Sequence, residues 1–156
     1  MAGCGVVALA DARYCHLSMG DELSILGGNG ASSRPSKNLE TFENRNPDRM
    51  YLVTLESDEF TCVCPKTGQP DFATIRVRYV PNQRIVESKS FKLYLWSYRD
   101  EGVFHEHVVN TILGDVVDAA DPHWCEVEGD FSVRGGVSIS VTAEHTVNYD
   151  ARDLWR

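Results

Sequence analysis

Two stretches in which apolar and polar residues alternate constrain the fold of this chain more than any other feature of its sequence. The first begins at Phe72 and ends at Pro81-Asn82, and the second runs from Cys125 to Thr142 and is interrupted by the turn Arg134-Gly135-Gly136. A period of two residues is typical of strands with one buried face, because successive side chains point to opposite sides of a sheet. The sequence therefore predicts an antiparallel strand and, later in the chain, a β-hairpin.

Apolar residues between these two stretches follow helical spacing instead. A short amphipathic helix is predicted over Ser90 to Arg99, with Ser88 or Ser90 as its N-cap. A second apolar stripe, which begins at Phe104, predicts a longer helix that ends at Asp121-Pro122. The middle of the chain is therefore expected to contain two consecutive helices.

A further strand is predicted at Met50 to Glu56 from its β-branched and aromatic content, so the order of elements is β-β-α-α-β-β. This order indicates an α+β fold in which two helices cover one face of a four-stranded antiparallel sheet. Open sheet edges favour pairing between chains, so we expect an oligomer in which sheets join side by side into a closed barrel. Residues 1–36 include a glycine- and serine-rich segment and predict an N-terminal arm that is loop or partly disordered, followed by one folded domain over residues 37–156.

Composition excludes several classes of function. The chain has 156 residues and a formal net charge of −8, and its basic residues form no run, so we expect a small-molecule or protein partner and no nucleic acid. No apolar run reaches the roughly 18 residues that a membrane span needs, and charged residues near the N-terminus argue against a signal peptide. Five cysteines at irregular spacings predict reduced thiols, and we expect a cytoplasmic protein.

The segment Glu59 to Asp71, EFTCVCPKTGQPD, contains the clearest candidates for chemistry. Three residues that restrict or release φ predict an ordered loop here, not a helix or strand: Pro65, Gly68 and Pro70. Cys64 is a candidate nucleophile, because Lys66 or a base such as Asp71 or His105 raises the thiolate fraction of a nearby thiol. A desolvated Asp71 is a candidate general acid. The alternatives, a buried structural cysteine and a turn aspartate, stay open.

Zinc binding is another interpretation of the same residues. Cys62 and Cys64 are two residues apart, as are His105 and His107. This spacing is looser than the paired C-x-x-C pattern of zinc sites, and residues two apart in a helix do not face the same way. We therefore expect no catalytic metal and interpret Cys62 as structural.

Polar residues elsewhere are candidates for binding a planar heterocycle. Glu87 lies between a predicted strand and helix, where its carboxylate can accept paired N–H donors or can simply be a solvated charge. His105 and Glu106 begin the longer helix, and the preceding Phe104 is either a stacking surface or part of the core. Three basic residues can bind phosphates, although isolated basic residues are mostly surface groups: Lys89, Lys92 and Arg134. There is no G-x-G-x-x-G motif after a strand, so a Rossmann site is not expected.

Four separated motifs together resemble the short, single-domain nitrile reductases of queuosine biosynthesis, the QueF family: CPKTGQPDF (Cys64 to Phe72), ESKSFKLY (Glu87 to Tyr94), FHE (Phe104 to Glu106) and RGG (Arg134 to Gly136). The resemblance extends over roughly Leu23 to the C-terminus, whereas the first twenty or so residues have no counterpart. It implies the tunnelling fold (T-fold), assembled into barrels as a homodecamer of two pentameric rings.

The resemblance also implies an activity, namely NADPH-dependent reduction of 7-cyano-7-deazaguanine to 7-aminomethyl-7-deazaguanine, with two NADPH per turnover. By position, Cys64 matches the nucleophile that forms a covalent thioimide, and Asp71 matches the proton donor. The implied substrate-binding residues are Val86, Glu87, Ser88, Phe104, His105 and Glu106. The implied cofactor-binding residues are Ser88, Lys89, Lys92, Arg134 and Gly135.

Other functions remain as alternatives. An amidinotransferase that acts on the same nitrile in tRNA, or a zinc-dependent pterin enzyme, would share the fold. The related amidinotransferases look as though they lack the ESKSFKLY segment and need a basic surface for tRNA, and this acidic chain has the segment without such a surface. A non-catalytic heterocycle-binding protein is the alternative from a different class.

Overall fold

The computed structural model describes residues 33–154. Residues 1–32 of the predicted N-terminal arm therefore lie outside the described residues. The elements of the described chain follow one another in the order β1 (Thr41–Glu43), β2 (Val53–Val63), β3 (Pro70–Val80), β4 (Arg84–Val86), α1 (Ser88–Trp96), α2 (His105–Ala120), β5 (Trp124–Arg134), β6 (Val137–Thr146) and α3 (Tyr149–Asp153). None of these helices is long and apolar enough to cross a membrane.

The main sheet has four antiparallel strands in the order β2-β3-β5-β6. The strands β3 and β5 are therefore central, and β2 and β6 form its edges. A second sheet pairs the short strands β1 and β4. The predicted α+β architecture, with a four-stranded antiparallel sheet and two main helices, is confirmed.

The core lies between the main sheet and the two longer helices. Ile75, Val77 and Tyr79 on β3 are fully buried, as their alternation predicted. Helix α2 packs on β5 and β6, and α1 packs on β2. Burial of these apolar side chains is the main stabilising contribution to the fold.

The opposite face of the sheet carries charged side chains that pair across strands. Arg76 on β3 bridges Glu56 of β2 at 2.6 Å and Glu128 of β5 at 2.8 Å, and Arg78 pairs with Glu126. At one end, Ala151 of α3 packs with Val80 and Trp124, and the three side chains form a small second core.

The strand β2 is longer than predicted, because the segment Glu59 to Asp71 is not one loop. Glu59–Val63 belongs to β2 and Pro70-Asp71 to β3, so the loop is only the turn at residues 64–69. A β-bulge between Ser57 and Phe60 shifts the alternation by one residue, which interrupts the periodicity that identifies a strand.

Helix α1 begins two residues earlier than predicted and is capped differently. Its N-cap is Glu87, whose side chain accepts hydrogen bonds from the backbone N–H groups of Lys89 and Ser90. The prediction of Ser88 or Ser90 as the cap is therefore wrong. Helix α2 ends before Asp121, as predicted, and Asp121 adopts the left-handed conformation with a φ of 44° that ends many helices.

Gly129 on β5 provides a test of how tightly α2 packs on the sheet. A Cβ atom at Gly129 would lie 2.7 Å from Cγ2 of Val109 and 3.0 Å from Cε2 of Phe131. Both atoms belong to buried side chains, so we expect Gly129→Ala to lower the free energy of unfolding by about 1–3 kcal/mol.

Gly114, in α2, is a matched control because a Cβ atom there would meet nothing within 4 Å. We expect Gly114→Ala to raise the free energy of unfolding by about 0.5–1 kcal/mol, because alanine favours a helix interior. Urea unfolding measures both variants. Equal effects of the two substitutions would contradict the close approach of α2 to β5.

Candidate active site

A cavity of about 250 Å³ lies where the turn after β2, the start of α2 and the β5–β6 hairpin meet. The residues that line it are Cys64, Pro65, Asp71, Val103, Phe104, His105, Glu106, Phe131, Ser132, Arg134, Val137 and Ile139. The structure thus brings together six of the predicted site residues, which belong to three separated motifs: Cys64, Asp71, Phe104, His105, Glu106 and Arg134.

The backbone of the turn holds Cys64 at the edge of this cavity. The Cys64 carbonyl accepts a hydrogen bond from the N–H of Gly68 at 2.9 Å, and the Cys64 N–H donates to the carbonyl of Gln69 at 2.8 Å. Gly68 has a φ of 68°, a conformation that glycine adopts without strain. Val63, the residue before Cys64, also bonds through its backbone to Glu101 and Val103 in the segment before α2. The thiol is therefore placed by ordered backbone on both sides.

The Cys64 thiol is the most acidic of the three cysteines that the structure describes. Hydrogen bonds from the Thr67 hydroxyl and from the backbone N–H groups of Lys66 and Thr67 lower its pKa from 9.0 to about 7, with a smaller contribution from Arg134. Burial instead raises the pKa of Cys62 to about 11 and that of Cys125 to about 12. At neutral pH only Cys64 of these three has a substantial thiolate fraction.

Asp71 is almost fully buried, with 7% of its side chain exposed, and each of its oxygens lies next to a basic side chain. The Arg134 guanidinium donates to Oδ1, and Nε2 of His105 lies 3.2 Å from Oδ2. The same guanidinium donates through Nη2 to the Thr67 hydroxyl at 3.1 Å. The four side chains therefore form one connected polar group beside the Cys64 thiol.

Aromatic rings determine how the other cavity residues are presented. The His105 ring stacks on the buried ring of Phe131, with centroids 3.9 Å apart and planes inclined by 15°. Phe104 is 42% exposed, and its ring makes an edge contact with that of His107, with the centroids 5.8 Å apart. Phe104 is therefore a surface at the cavity, and of the two interpretations left open for it, the core position is wrong.

The four candidate zinc ligands do not converge. Cys62 is buried in the core, whereas Cys64 lines the cavity and His107 is exposed. No group of three or more histidine, cysteine, aspartate and glutamate side chains in residues 33–154 is arranged to hold a metal ion.

The remaining predicted site residues form a second group at the junction of β4 and α1. None of Val86, Glu87, Ser88, Lys89 and Lys92 lines the Cys64 cavity. Lys92 instead lines a second cavity of about 230 Å³ between β2 and α1, together with Trp96 and Arg99.

Glu87 is 8% exposed, so the interpretation as a solvated charge is wrong. Its carboxylate oxygens accept from the N–H of Lys89 at 2.9 Å and from the N–H of Ser90 at 2.7 Å. Capping of the helix thus holds this carboxylate in one orientation. Gly135 lies in the β5–β6 turn with a φ of 61°, next to the Arg134 of the first group.

Thr67 and Phe131 are among the residues at the Cys64 site that sequence reasoning missed. Thr67 stands within the CPKTGQPDF motif, but a threonine in a turn gives no sign that it bonds a thiol three residues earlier. Phe131 was assigned only to the alternating strand, and its stacking on His105 depends on the pairing of β5 with β3.

Comparison with known proteins places the chain in a family. The model of the QueF-like protein family matches residues 70–150. A relative from Syntrophus aciditrophicus is 61% identical over 125 residues, which are 80% of this chain and 89% of the relative. The chain belongs to the QueF-like protein family.

Two further comparisons describe other relatives of this QueF-like chain. A protein of Anaeromyxobacter sp. is 62% identical over 113 residues, which are 72% of this chain and 93% of the relative. Both this protein and the Syntrophus relative are named NADPH-dependent 7-cyano-7-deazaguanine reductase.

A solved structure, the archaeosine synthase QueF-Like in the apo form, is 30% identical and has a TM-score of 0.57. The alignment covers 60% of this chain and 91% of that structure. The predicted tunnelling fold is thereby confirmed.

The acidity of Cys64 can be tested by alkylation. We expect iodoacetamide to modify Cys64 much faster than Cys62 or Cys125 at pH 7, because a pKa of about 7 leaves about half of the thiol as thiolate. The rate should rise with pH and level off above pH 8. Peptide mass mapping identifies the modified cysteine, and Cys64→Ser serves as the control. Preferential modification of Cys62 would contradict the assignment.

Proposed function

We propose that this chain catalyses the NADPH-dependent reduction of the nitrile of 7-cyano-7-deazaguanine to an aminomethyl group, a step of queuosine biosynthesis. One observation carries the proposal: the acidic Cys64 thiol shares a cavity with a buried carboxyl, that of Asp71. The name of the relatives that are about 60% identical supports the same reaction.

Cys64 is the proposed nucleophile, and its attack converts the nitrile into a better hydride acceptor. The thiolate forms a bond to the nitrile carbon while one π bond of the C≡N group breaks. Asp71 delivers a proton to the nitrogen, which gives a thioimide bound to Cys64. His105, whose Nε2 lies 3.2 Å from Asp71, is positioned to return a proton to this carboxyl.

Reduction to the amine then requires two hydride additions. Two molecules of NADPH, bound one after the other, would each supply one hydride. After the first addition and protonation of the nitrogen, the carbon–sulfur bond breaks and Cys64 leaves as a thiolate, so the product of this step is an imine. The second hydride and a further proton complete the four-electron reduction. Arg134 and Thr67 stabilise Cys64 as a leaving group by the same contacts that make it a nucleophile.

The walls of the cavity support the proposed intermediates, because thioimides and imines are hydrolysed when water has access. The apolar part of the lining is Val103, Phe104, Phe131, Val137 and Ile139. The exposed ring of Phe104 is a stacking surface for a planar base, and the Glu106 carboxylate accepts N–H donors from its edge. A site that pairs such donors strongly rejects bases that lack them.

The predicted cofactor-binding residues have side chains that suit NADPH. In a single chain, however, they lie in two separate places. Lys92 and Arg99 provide two cations beside the Trp96 indole in the second cavity, which Glu59 also lines. The two cations outnumber this one carboxylate and are donors that a phosphate can use. Arg134 and Gly135 lie at the hairpin beside the first cavity. We propose that Ser88, Lys89 and Lys92 of one chain would hold NADPH together with Arg134 and Gly135 of a neighbouring chain.

The same separation applies to the substrate residues, since Glu87 does not line the cavity that contains Cys64. The strands β2 and β6 are edges of the main sheet in the described chain, where a neighbour can pair. The proposed assembly is therefore a homo-oligomer in which neighbours share the site. A homodecamer of two pentameric rings, as the resemblance implies, has this property.

A covalent adduct tests the proposed mechanism. The protein is mixed with 7-cyano-7-deazaguanine without NADPH and its intact mass is measured. We expect a mass increase equal to the whole substrate, because addition of a thiol to a nitrile retains every atom. NADPH should remove the increase, and Cys64→Ala should not show it.

Turnover by wild-type protein that forms no adduct would contradict the thioimide. An adduct that persists in the presence of NADPH would argue against the reductase and for a transferase acting on the same nitrile. Retained turnover in Cys64→Ala would exclude Cys64 as the nucleophile.

Mixing of inactive variants tests the shared site. Cys64→Ala and Glu87→Gln are each expected to be inactive alone, the first for lack of the nucleophile and the second because an amide cannot replace a carboxylate at the N–H edge. If neighbouring chains share each site, about a quarter of the sites regain both groups in randomly mixed oligomers.

The two variants are co-expressed with different affinity tags, and turnover of the doubly purified oligomer is measured. A mixture as inactive as its parents would place Cys64 and Glu87 of one chain in the same site. Co-expression of two Cys64→Ala chains is the control for the tags.

A further inference from the structure

We propose that Phe131 is a positioning residue whose ring holds the His105 imidazole so that Nε2 faces the Asp71 carboxyl. The inference rests on the proposed function and deepens it, because the reaction needs a proton returned to Asp71 after each transfer to nitrogen. Phe131 lies outside the set of site residues predicted from the sequence. Its proposed role depends on how side chains of β5, α2 and β3 meet.

Stacking on Phe131 fixes the plane of the His105 ring. The two ring centroids are 3.9 Å apart, and the planes are inclined by only 15°. This separation is van der Waals contact, so rotation of the imidazole about its Cβ–Cγ bond would drive a ring edge into the phenyl face. The two imidazole nitrogens lie at the edge of the ring and form their hydrogen bonds in its plane. Stacking therefore restrains the ring without occupying the groups that carry protons.

Asp71 selects the direction in which Nε2 points. Two orientations of the imidazole share the stacked plane and differ by a half-turn that exchanges Nε2 with Cε1. In the observed orientation Nε2 lies 3.2 Å from Oδ2 of Asp71, while Oδ1 accepts from Arg134. The flipped orientation would place a carbon atom beside the carboxylate. Phe131 thus sets the plane of His105, and Asp71 selects between its two orientations.

Phe131 is itself held by its neighbours in the sheet. It is 3% exposed, and its partner in the β3 ladder is the small residue Ala73. Gly129 leaves space for the ring, because a Cβ atom there would lie 3.0 Å from Cε2 of Phe131. The Phe60 ring meets that of Phe131 edge to face, with centroids 6.5 Å apart. Since one face lies on His105 and the side chain is buried, Phe131 offers no free face on which a substrate base could stack.

The restrained imidazole connects the buried Asp71 with solvent. The His105 side chain is 19% exposed, whereas that of Asp71 is 7% exposed. After Asp71 has given its proton to the substrate nitrogen, protonated His105 returns one, so that the N–H bond at Nε2 breaks as an O–H bond at Oδ2 forms. Water then reprotonates His105. This transfer needs the two atoms within hydrogen-bond reach, which stacking on Phe131 maintains.

The experiment compares wild type with Phe131→Leu, Phe131→Tyr and Phe60→Leu. Leucine keeps an apolar side chain but removes the stacking face, and tyrosine retains the ring. Phe60→Leu is the matched control, because Phe60 is a buried ring beside Phe131 that does not line the Cys64 cavity. Both leucine variants therefore remove a ring from the same part of the core, and only one of them removes the contact with His105.

Two quantities are measured in each protein. The first is the rate at which diethyl pyrocarbonate modifies His105 at pH 7, relative to the rate for the exposed His107, both read by fragmentation of the modified peptides. The second is the pair of constants kcat and KM with 7-cyano-7-deazaguanine and NADPH.

We expect His105 to react more slowly than His107 in wild type, because stacking and Asp71 shield its ring. In Phe131→Leu the rate ratio should rise severalfold. The value of kcat should fall about tenfold with KM changed less than about twofold, since proton transfer is impaired and the groups proposed to bind the base are intact. Phe131→Tyr and Phe60→Leu should retain the wild-type rate ratio and kcat.

An unchanged rate ratio or an unchanged kcat in Phe131→Leu would overturn the proposal, and so would equal losses of kcat in Phe131→Leu and Phe60→Leu. A raised KM at constant kcat would assign Phe131 to binding of the base instead. If Phe131→Leu loses its native circular dichroism spectrum, Phe131→Met provides the same comparison.

Modification by diethyl pyrocarbonate uses neither the nitrile nor NADPH, so it tests the position of His105 whether or not the chain is a reductase. Failure of the proposed function would show as wild-type protein that neither turns over nor forms the adduct. Failure of the positioning role would show as an active wild type that Phe131→Leu leaves unchanged.

Discussion

One extra residue in β2 determines which side chains face the core at the end of the main sheet that contains Cys62 and leads to Cys64. Ser57 and Phe60 are three residues apart in β2, but their partners Ile75 and Ala73 are only two apart in β3. Such a bulge exchanges the faces to which the following side chains point. Before the bulge the odd-numbered residues of β2 face the core, and after it the even-numbered ones do.

The position of each thiol follows from this exchange of faces. Cys62 enters the core, where burial raises its pKa, and Asp71 lies directly opposite it in the ladder. The Asp71 carboxyl is therefore drawn to the buried side of the sheet, and a buried carboxyl needs donors. Arg134 of β5 donates to it, and Nε2 of His105 on α2 lies 3.2 Å from its other oxygen, so three separate elements meet around Cys64.

Periodicity explains which parts of the fold were predictable from the sequence. The strand β3 and helix α2 have uninterrupted patterns and were predicted close to their observed bounds. The β5–β6 hairpin was also predicted, although a register shift between Phe131 and Arg134 interrupts its pairing next to the turn. The bulge broke the pattern of β2, so half of that strand was assigned to a loop. The strands β1 and β4 have three residues each and α3 has five, which is too short for a periodic signal.

The chemistry of the site was predictable to the extent that it depends on residue type. Cys64, Asp71 and His105 were identified as a thiol with nearby acid and base groups, and the structure brings them to one cavity. The acidity of Cys64 depends on Thr67 and two backbone N–H groups, which only the three-dimensional turn reveals. Glu87 was predicted to bind a heterocycle from its position between a strand and a helix, but its orientation comes from its capping of α1, where two N–H groups hold both oxygens.

The predicted site is divided into two groups, and the main sheet has open edges, for one reason: a single chain has too few strands to close the sheet. A chain with four main strands closes neither a barrel nor a cavity that reaches from the Cys64 turn to the start of α1. Strand pairing between copies at β2 and β6 would satisfy the edge N–H and C=O groups, and it would bring residues of a neighbouring chain beside β2, α1 and the β5–β6 hairpin. In the proposed oligomer, assembly and completion of the site would therefore be one structural event, and loss of edge pairing would remove activity without any change in the chemistry around Cys64.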